Sequence, residues 1–307
     1  MKMSAYLWSV AAQNFIYPYE ASIKSILPIV DEVWIAIDPE FEDAVIYTRL
    51  SDKVKIVEHK YDVLSWDIRN QMLQAARGKC TGDWCMSWQL CAVIPEQYIV
   101  NIRNIVESVH DDYNYNSINI GDVYIGYGGW VQLYPITHIP RFTRNLQYWQ
   151  HKTPDTNIGY MEDATVYNGR YILGGLDESA LTDVRTDTWV GSLHKPYRAV
   201  DNNPITSPED CVKSLEEYPY VFYYTWYSTL RKHAQSRAES EYINRVYGRA
   251  STLDADQYND NLKPNRPIHI LGDEIGYDWW ANKYKIDIRH PEYIHSWLAC
   301  LEKMRER

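Results

Sequence analysis

Residues Ser65–Trp88 read SWDIRNQMLQAARGKCTGDWCMSW. Ile68, Met72, Ala75 and Ala76 share one face at helical spacing, and the pattern then changes to a short apolar run, Asp83–Trp88. Ser65 is placed to cap a helix over Trp66–Arg77, and Gly78 to close it. A helix feeding a buried strand is half of a strand–helix–strand unit, and the same alternation continues on both sides. Upstream, Ala5–Val10 reads as a first strand, and Ile23, Ile26, Leu27 and Val30 recur on a helical face. Val33–Asp38 (VWIAID) reads as a buried strand ending in an acid, Phe41–Leu50 as a short helix and Val54–Val57 as a further strand. Downstream, Pro95 opens a helix striped by Tyr98, Ile99, Ile102, Ile105, Val106 and Val109. Strands alternating with helices predict an α/β fold, a mostly parallel central sheet flanked by helices. Ligands of such sheets sit beyond the carboxyl ends of the strands, where strand order switches. The residues just after Val10, Asp38 and Trp88 are therefore candidate site positions.

The second half is less regular. Ser117–Ile125 and Ile139–Arg144 read as strands around a loop, Gly126–Thr137. From Thr153 to Pro219 the chain is rich in Asp, Asn, Gly, Thr and Pro and is expected to be loop-dominated. Tyr220–Val246 is expected to be helical, Leu253–Pro267 a polar linker and Pro291–Glu306 a last helix. The chain thus divides into a ligand-binding half (1–115), a second half of the same domain (116–219) and a helical annex (220–307), giving an irregular, partly helical C-terminal region.

The 307 residues suffice for a large core without disulfides or metals. A formal charge of −10 gives no help to a polyanionic partner, although a local basic groove stays open. Five cysteines, odd in number and without C-x-x-C pairs, argue against a zinc site and for a reducing compartment. The opening MKMSAYLWSVAAQNF reads as a strand, not a signal peptide, and no run approaches the roughly 20 apolar residues of a membrane span. A cytoplasmic location is expected. The aromatic content is unusual: 27 Tyr and 12 Trp against 4 Phe. Flat rings with polar edges suit carbohydrate binding, and a bias of the source genome would look the same.

Three segments together resemble the family-2 glycosyltransferases with the GT-A (Rossmann-like) fold. AAQNFIYPYEASIKSILPIVDEVWIAID (11–38) is similar to the family's first strand, loop, helix and second strand, with Asn14 at its Asn-Glu element and Asp38 at its nucleotide-binding acid. EHKYDVLSWDIRNQMLQAARGKCTGDW (58–84) matches in order and spacing, with Arg69-Asn70 opening a helix and Thr81-Gly82-Asp83-Trp84 before a strand. RFTRN (141–145) is similar to an Arg-containing strand of the lipopolysaccharide-core branch. The sequence departs where the family carries Asp-x-Asp: it reads Gln89-Leu90-Cys91. Magnesium and manganese prefer charged oxygen ligands, which an amide and a thiol do not supply.

The resemblance implies an inverting glycosyltransferase, and the departure at 89–91 implies little or no metal dependence unless Asp38, Asp83 or another acid holds the cation. Such an enzyme would use a nucleotide-sugar donor (a UDP-sugar first), a hydroxyl acceptor (a glycan first) and no tightly bound cofactor. Two rivals stay open: transfer to modified bases in viral DNA, for which the basic residues of 231–249 speak, and a non-catalytic nucleotide- or glycan-binding descendant. On this reading Asp38 and Asn14 meet the nucleotide, or merely cap and brace their turns. Arg69 meets the diphosphate, or pairs with Asp67 or Asp62, while Asn70 orders its turn. Gln89 and Cys91 line the position vacated by the acids, and Lys79, Arg141 and Arg144 compete as balancing cations. Glu162-Asp163, in GYMEDAT, resembles the family's base-bearing element, with His151 and His194 as rival bases. Trp130, Trp149 and Trp189 are candidate sugar platforms or core residues.

Overall fold

The first strand, β1 (Met3–Ser9), sets the two-sided core. Strand side chains alternate between faces: Met3, Ala5 and Leu7 enter one apolar cluster and Tyr6 the other. After it come α1 (Tyr19–Ile26), β2 (Glu32–Ile37), α2 (Val45–Thr48), β3 (Val54–Glu58), α3 (Ile68–Arg77), β4 (Trp84–Ser87), β5 (Ala92–Val93) and α4 (Glu96–Ser108). The later elements are β6 (Ser117–Ile118), β7 (Gly121–Gly126), β8 (Trp130–Tyr134), β9 (Phe142–Arg144), β10 (Trp149–His151), β11 (Thr165–Tyr167), β12 (Arg170–Ile172), α5 (Pro208–Glu217), β13 (Tyr220–Trp226) and β14 (Tyr284–Lys285). A 3₁₀ turn (Glu292–Ile294) leads into α6 (His295–Arg305). This computed structural model describes residues 1–13, 15–62, 68–111, 117–118, 120–126, 129–134, 141–145, 149–151, 165–167, 170–172, 207–226 and 284–305.

The main sheet has the order β3-β2-β1-β4-β9-β6. Its first four strands run parallel, and β9 is antiparallel to both of its neighbours. The chain moves outward from β1 to β3 and then returns to the other side of β1 as β4. The strand order therefore switches between β1 and β4. Ile23, Ile26, Ile102 and Val106 of α1 and α4 cover the face bearing Val33, Ile35 and Met86. Met72, Leu73 and Ala76 of α3 cover the face bearing Tyr6, Ala36 and Cys85. The predicted α/β layering, with a mostly parallel sheet between helices, is the one observed.

A second sheet, β14-β8-β7-β13-β5, adjoins the first, and β10-β11-β12 form a small third one. Here the expectations fail in four places, the first being the Thr153–Pro219 segment expected to be loop-dominated, which holds the ten-residue helix α5. The predicted strand Ser117–Ile125 is two strands on different sheets, β6 and β7. The loop expected at Gly126–Thr137 contains β8, which forms a hairpin with β7 after Gly129 (φ 81°) and buries Val131 and Leu133. The start of the helix expected from Tyr220 is β13, a central strand parallel to β7. Tyr220, Val221, Phe222, Tyr223 and Tyr224 are all buried. An aromatic run covered on both faces suits a strand between two neighbours better than a helix. The last helix forms as expected, broken only by its opening 3₁₀ turn. No helix among the described residues is long and apolar enough to cross a membrane.

At the amino edge of the main sheet, buried Glu32 gathers the strands. Its Oε1 accepts from the Ser4 hydroxyl (2.7 Å), the Thr81 amide (2.7 Å) and the Thr81 hydroxyl (2.8 Å), and its Oε2 from Lys55 Nζ (3.1 Å). Gly82 follows, where a Cβ would stand 2.7 Å from the Ser4 nitrogen, and the Asp83 carboxylate accepts from the Lys2 amide (2.7 Å). The Thr81-Gly82-Asp83 motif is thus a splice between β4 and the start of β1. Burial pushes the Glu32 carboxyl up, but the bonds from Ser4, Thr81 and Lys55 outweigh it and bring the pKa to about 2. A depressed carboxyl stabilises above its unfolded value and loses that contribution as pH falls toward its folded one. Glu32→Gln is expected to cost on the order of 3 kcal/mol at neutral pH. Urea unfolding across pH 2–7 should show the mutant lacking the acid-side loss of stability seen in the parent below about pH 4.5.

Candidate functional site

At the opposite, carboxyl edge, the turn after β1 is built around a buried acid. The Ala12 amide donates to both oxygens of Glu42 (2.9 and 3.2 Å), and the Ser9 and Tyr47 hydroxyls add 3.1 and 3.0 Å bonds. Burial raises the Glu42 carboxyl above its ordinary range, against the pull of these donors. The turn itself is sharp: Ala11 (φ 55°) and Ile16 (φ 51°) are both left-handed. Beside it opens a cleft of about 510 Å³ walled by Ala11 and Gln13 after β1, by Ile37–Ala44 without Asp38 after β2, and by Glu58 ending β3. Glu40, Glu42, Asp43 and Glu58 line it, and among the described residues no lysine or arginine does. Such a cleft accepts N–H and O–H donors over apolar walls and repels phosphate.

Asp38 stands at the end of β2 but does not line this cleft. Its Oδ1 accepts the Glu40 amide (2.9 Å) and its Oδ2 the Tyr61 amide (2.6 Å). It clasps the loops after β2 and β3 together and does not cap a helix. Tyr61 in turn stacks on Trp8 (6.3 Å, 8°) and meets the cleft residue Phe41 edge-on (6.4 Å). Arg69, in the first turn of α3, lies over the Trp8 ring at 5.2 Å. Asn70 beside it is buried. The cation and the cleft are thus joined through one aromatic cluster.

The other proposed cations are elsewhere. Lys79 follows the end of α3, at the amino edge. Arg144 is buried in β9, donates to the Val109 and His110 carbonyls (3.1 and 2.9 Å) and covers Trp84 at 4.6 Å, so it caps α4. Arg141 is buried between the two larger sheets, ion-paired to Asp122 (3.1 Å) and hydrogen-bonded to Tyr223 and to the Ser87 carbonyl. Burial lifts the Asp122 carboxyl to about 7 although Arg141 opposes it. Both arginines of RFTR are thus engaged with protein partners in this structure, and neither lines the cleft.

The Gln89-Leu90-Cys91 turn links β4 to β5. The Gln89 carbonyl accepts from Ser22 Oγ (3.0 Å) and the Ala92 amide (3.0 Å), and the buried Cys91 thiol donates to Gln89 Oε1 (3.8 Å). These donors do not fit a hard divalent cation. Among the described residues no three of His, Cys, Asp and Glu cluster as metal ligands. Asp83, a fallback ligand, lies at the amino edge.

Asn14, Glu162, Asp163, Trp189 and His194 lie outside the described residues. His151 is in β10, opposite Thr165 of β11, which follows Asp163 by two positions. Trp149 begins the same strand. Trp130 in β8 carries Lys285 Nζ over its ring at 6.0 Å. Glu42 escaped the sequence reading because it falls in the first turn of the segment read as a short helix, Phe41–Leu50, where an acid looks like ordinary solvated surface; only its spacing from Ser9 and Tyr47 in three dimensions marks it.

No family model matches the sequence, and no curated protein does. Among solved structures the chain is similar to S. aureus TarS 1–349 in complex with UDP-GlcNAc, at 10% identity over 85% of this chain and 70% of that one, TM-score 0.35. It is similar also to 4-diphosphocytidyl-2C-methyl-D-erythritol synthase from Anaerococcus prevotii, at 10% identity over 69% and 94%, TM-score 0.35. A third is glucosyl-3-phosphoglycerate synthase from Mycobacterium tuberculosis with Mn²⁺, UDP and glucosyl-3-phosphoglycerate, at 16% identity over 42% and 45%, TM-score 0.28.

Removing Arg141 leaves Asp122 buried and unpaired. Arg141→Leu is therefore expected to cost about 3–5 kcal/mol in urea unfolding, with much of it regained when Asp122→Leu is added. Ligand affinity of the folded fraction should stay at the parent value; a large affinity loss with little change in stability would return Arg141 to the binding site.

Proposed function

We propose that this chain is a glycosyltransferase that moves a sugar from a nucleotide donor, a UDP-sugar first, to a hydroxyl acceptor, a glycan first. The observation that carries this reading is the phosphate-repelling, donor-accepting cleft at the carboxyl edge, adjoining the switch between β1 and β4, with Arg69 linked to it through the rings of Trp8, Tyr61 and Phe41. The base and ribose occupy the cleft, their N–H and O–H groups donating to the carboxylates of Glu40 and Glu58. The diphosphate extends out of it toward Arg69 and the amino end of α3, where guanidinium and backbone dipole both favour negative charge. The residues at 89–91 do not fit a divalent cation, so no step runs through one. Asp163 is the proposed base: it takes the acceptor hydroxyl's proton as the oxygen attacks the anomeric carbon, with inversion and departure of the nucleoside diphosphate. His151, His194 and Glu162 are the alternatives for that proton.

Calorimetric titration with UDP should give similar affinities in chelator and in millimolar manganese. Arg69→Ala should weaken binding by about 1.5–3 kcal/mol, the scale of a charged hydrogen bond. A strong manganese requirement would overturn the metal-independent reading. Asp163→Asn should cut turnover with the matching UDP-sugar by about a hundredfold or more and leave UDP affinity near the parent value. A parent chain that binds UDP but turns over none of a panel of nucleotide sugars would favour the non-catalytic descendant.

A further inference from the structure

The turn after β1 holds a β-branched residue, Ile16, at φ 51°. Left-handed backbone is rare for such a side chain, and it persists only where the surroundings over-determine it. Part of the constraint is local: the Phe15 amide donates to the Ala11 carbonyl (3.1 Å), Ile16 to Gln13 (3.2 Å) and Tyr17 to Ala12 (3.0 Å). The remainder comes from the far end of the chain. Trp297 of α6, 281 positions away, donates its indole Nε1–H to the Ile16 carbonyl at 2.9 Å. Trp297 is itself fixed. Its ring meets Tyr224 edge-on at 5.9 Å, and the Tyr224 hydroxyl shares a 3.0 Å hydrogen bond with His290 Nδ1. The Tyr224 amide donates to the Cys91 carbonyl at 2.8 Å. The Tyr293 amide ties the preceding 3₁₀ turn to Glu96 at the start of α4 (3.1 Å).

We infer that α6 is a strut for the proposed donor site and that Trp297 is a positioning residue. Its indole N–H holds the strained turn whose Ala11 and Gln13 wall the cleft, and its ring rests on the residue that holds the Gln89–Cys91 turn. The inference rests on the reading of the cleft as a nucleotide site. When the indole bond is lost, the left-handed turn becomes a smaller fraction of the ensemble, and apparent affinity falls by that fraction. Glycine adopts φ near +50° without penalty, so at position 16 it should make the strut dispensable.

The test is a double-mutant cycle of Trp297→Phe and Ile16→Gly in the full chain. It is read by UDP titration and by amide hydrogen exchange at Phe15 and Tyr17. Trp297→Phe keeps a ring against Tyr224 but removes the N–H together with one of the two indole rings, and the Ile16→Gly background separates the lost hydrogen bond from the lost packing. It should weaken UDP binding about three- to tenfold and speed exchange at both amides by a similar factor, with a small change in melting temperature. In the Ile16→Gly background the same substitution should change affinity and exchange less than about twofold. Unchanged affinity and exchange in Trp297→Phe would overturn the inference, as would equal losses in both backgrounds. If the parent chain binds no UDP, the functional reading falls, and the exchange rates alone then decide whether the strut exists.

Discussion

The architecture depends on one buried carboxylate at the amino edge. Glu32 belongs to β2, yet it bonds to Ser4 of β1, Lys55 of β3 and Thr81 just before β4, fixing the relative height of four parallel strands. Burying a charge is costly unless hydrogen bonds satisfy it, and here the donors are drawn from the segments that must meet. With the amino edge pinned, the carboxyl edge can carry sharp turns, and the left-handed residues Ala11 and Ile16 are there. A second buried acid, Glu42, plays a comparable role for the turn after β1. The two acids divide the labour: one holds the sheet, the other shapes the cleft.

The first 110 residues were largely legible because their elements are locally consistent. Each apolar stripe has the period of the element that forms, and Pro95 and Gly78 mark helix ends. Legibility failed where tertiary pairing decides. Tyr220–Tyr224 is a continuous aromatic and apolar run, which cannot tell a doubly covered strand from a buried helix. Ser117–Ile125 reads as one run because the step from one sheet to the next leaves no mark in composition. The site was half legible. The carboxyl edge and its loops follow from the alternation of strands and helices, whereas the duty of each polar side chain does not.

The four cations show why. In sequence, Arg69, Lys79, Arg141 and Arg144 are equally available to meet a diphosphate. Folding sends Lys79 to the amino edge, turns Arg144 onto the end of α4 and buries Arg141 against Asp122. Only Arg69 among these four stays at the carboxyl edge, over Trp8. The same sorting applies to the acids: Asp38 and Asp83 accept backbone amides away from the cleft, Glu42 and Asp43 accept backbone amides in its wall, and Glu40 and Glu58 complete its lining. Charge at a site is set by where folding places each ionic group, and this is a property of the fold.

The place of β13 has a consequence for how the chain comes into being. It lies between β7 and β5, two strands synthesised long before it. As the polypeptide emerges from the ribosome, both carry open hydrogen-bonding edges until Tyr220–Trp226 arrives to fill the gap, and such edges invite wrong partners. The N-terminal sheet around Glu32 completes its four parallel strands from the first 87 residues. Assembly is therefore expected in two stages, an early platform followed by a late insertion that closes the second sheet. The slow step is the long-range pairing, in keeping with the cost of closing a large loop. Truncation before residue 220 would leave a half-finished sheet, with a hydrophobic slot where its central strand belongs.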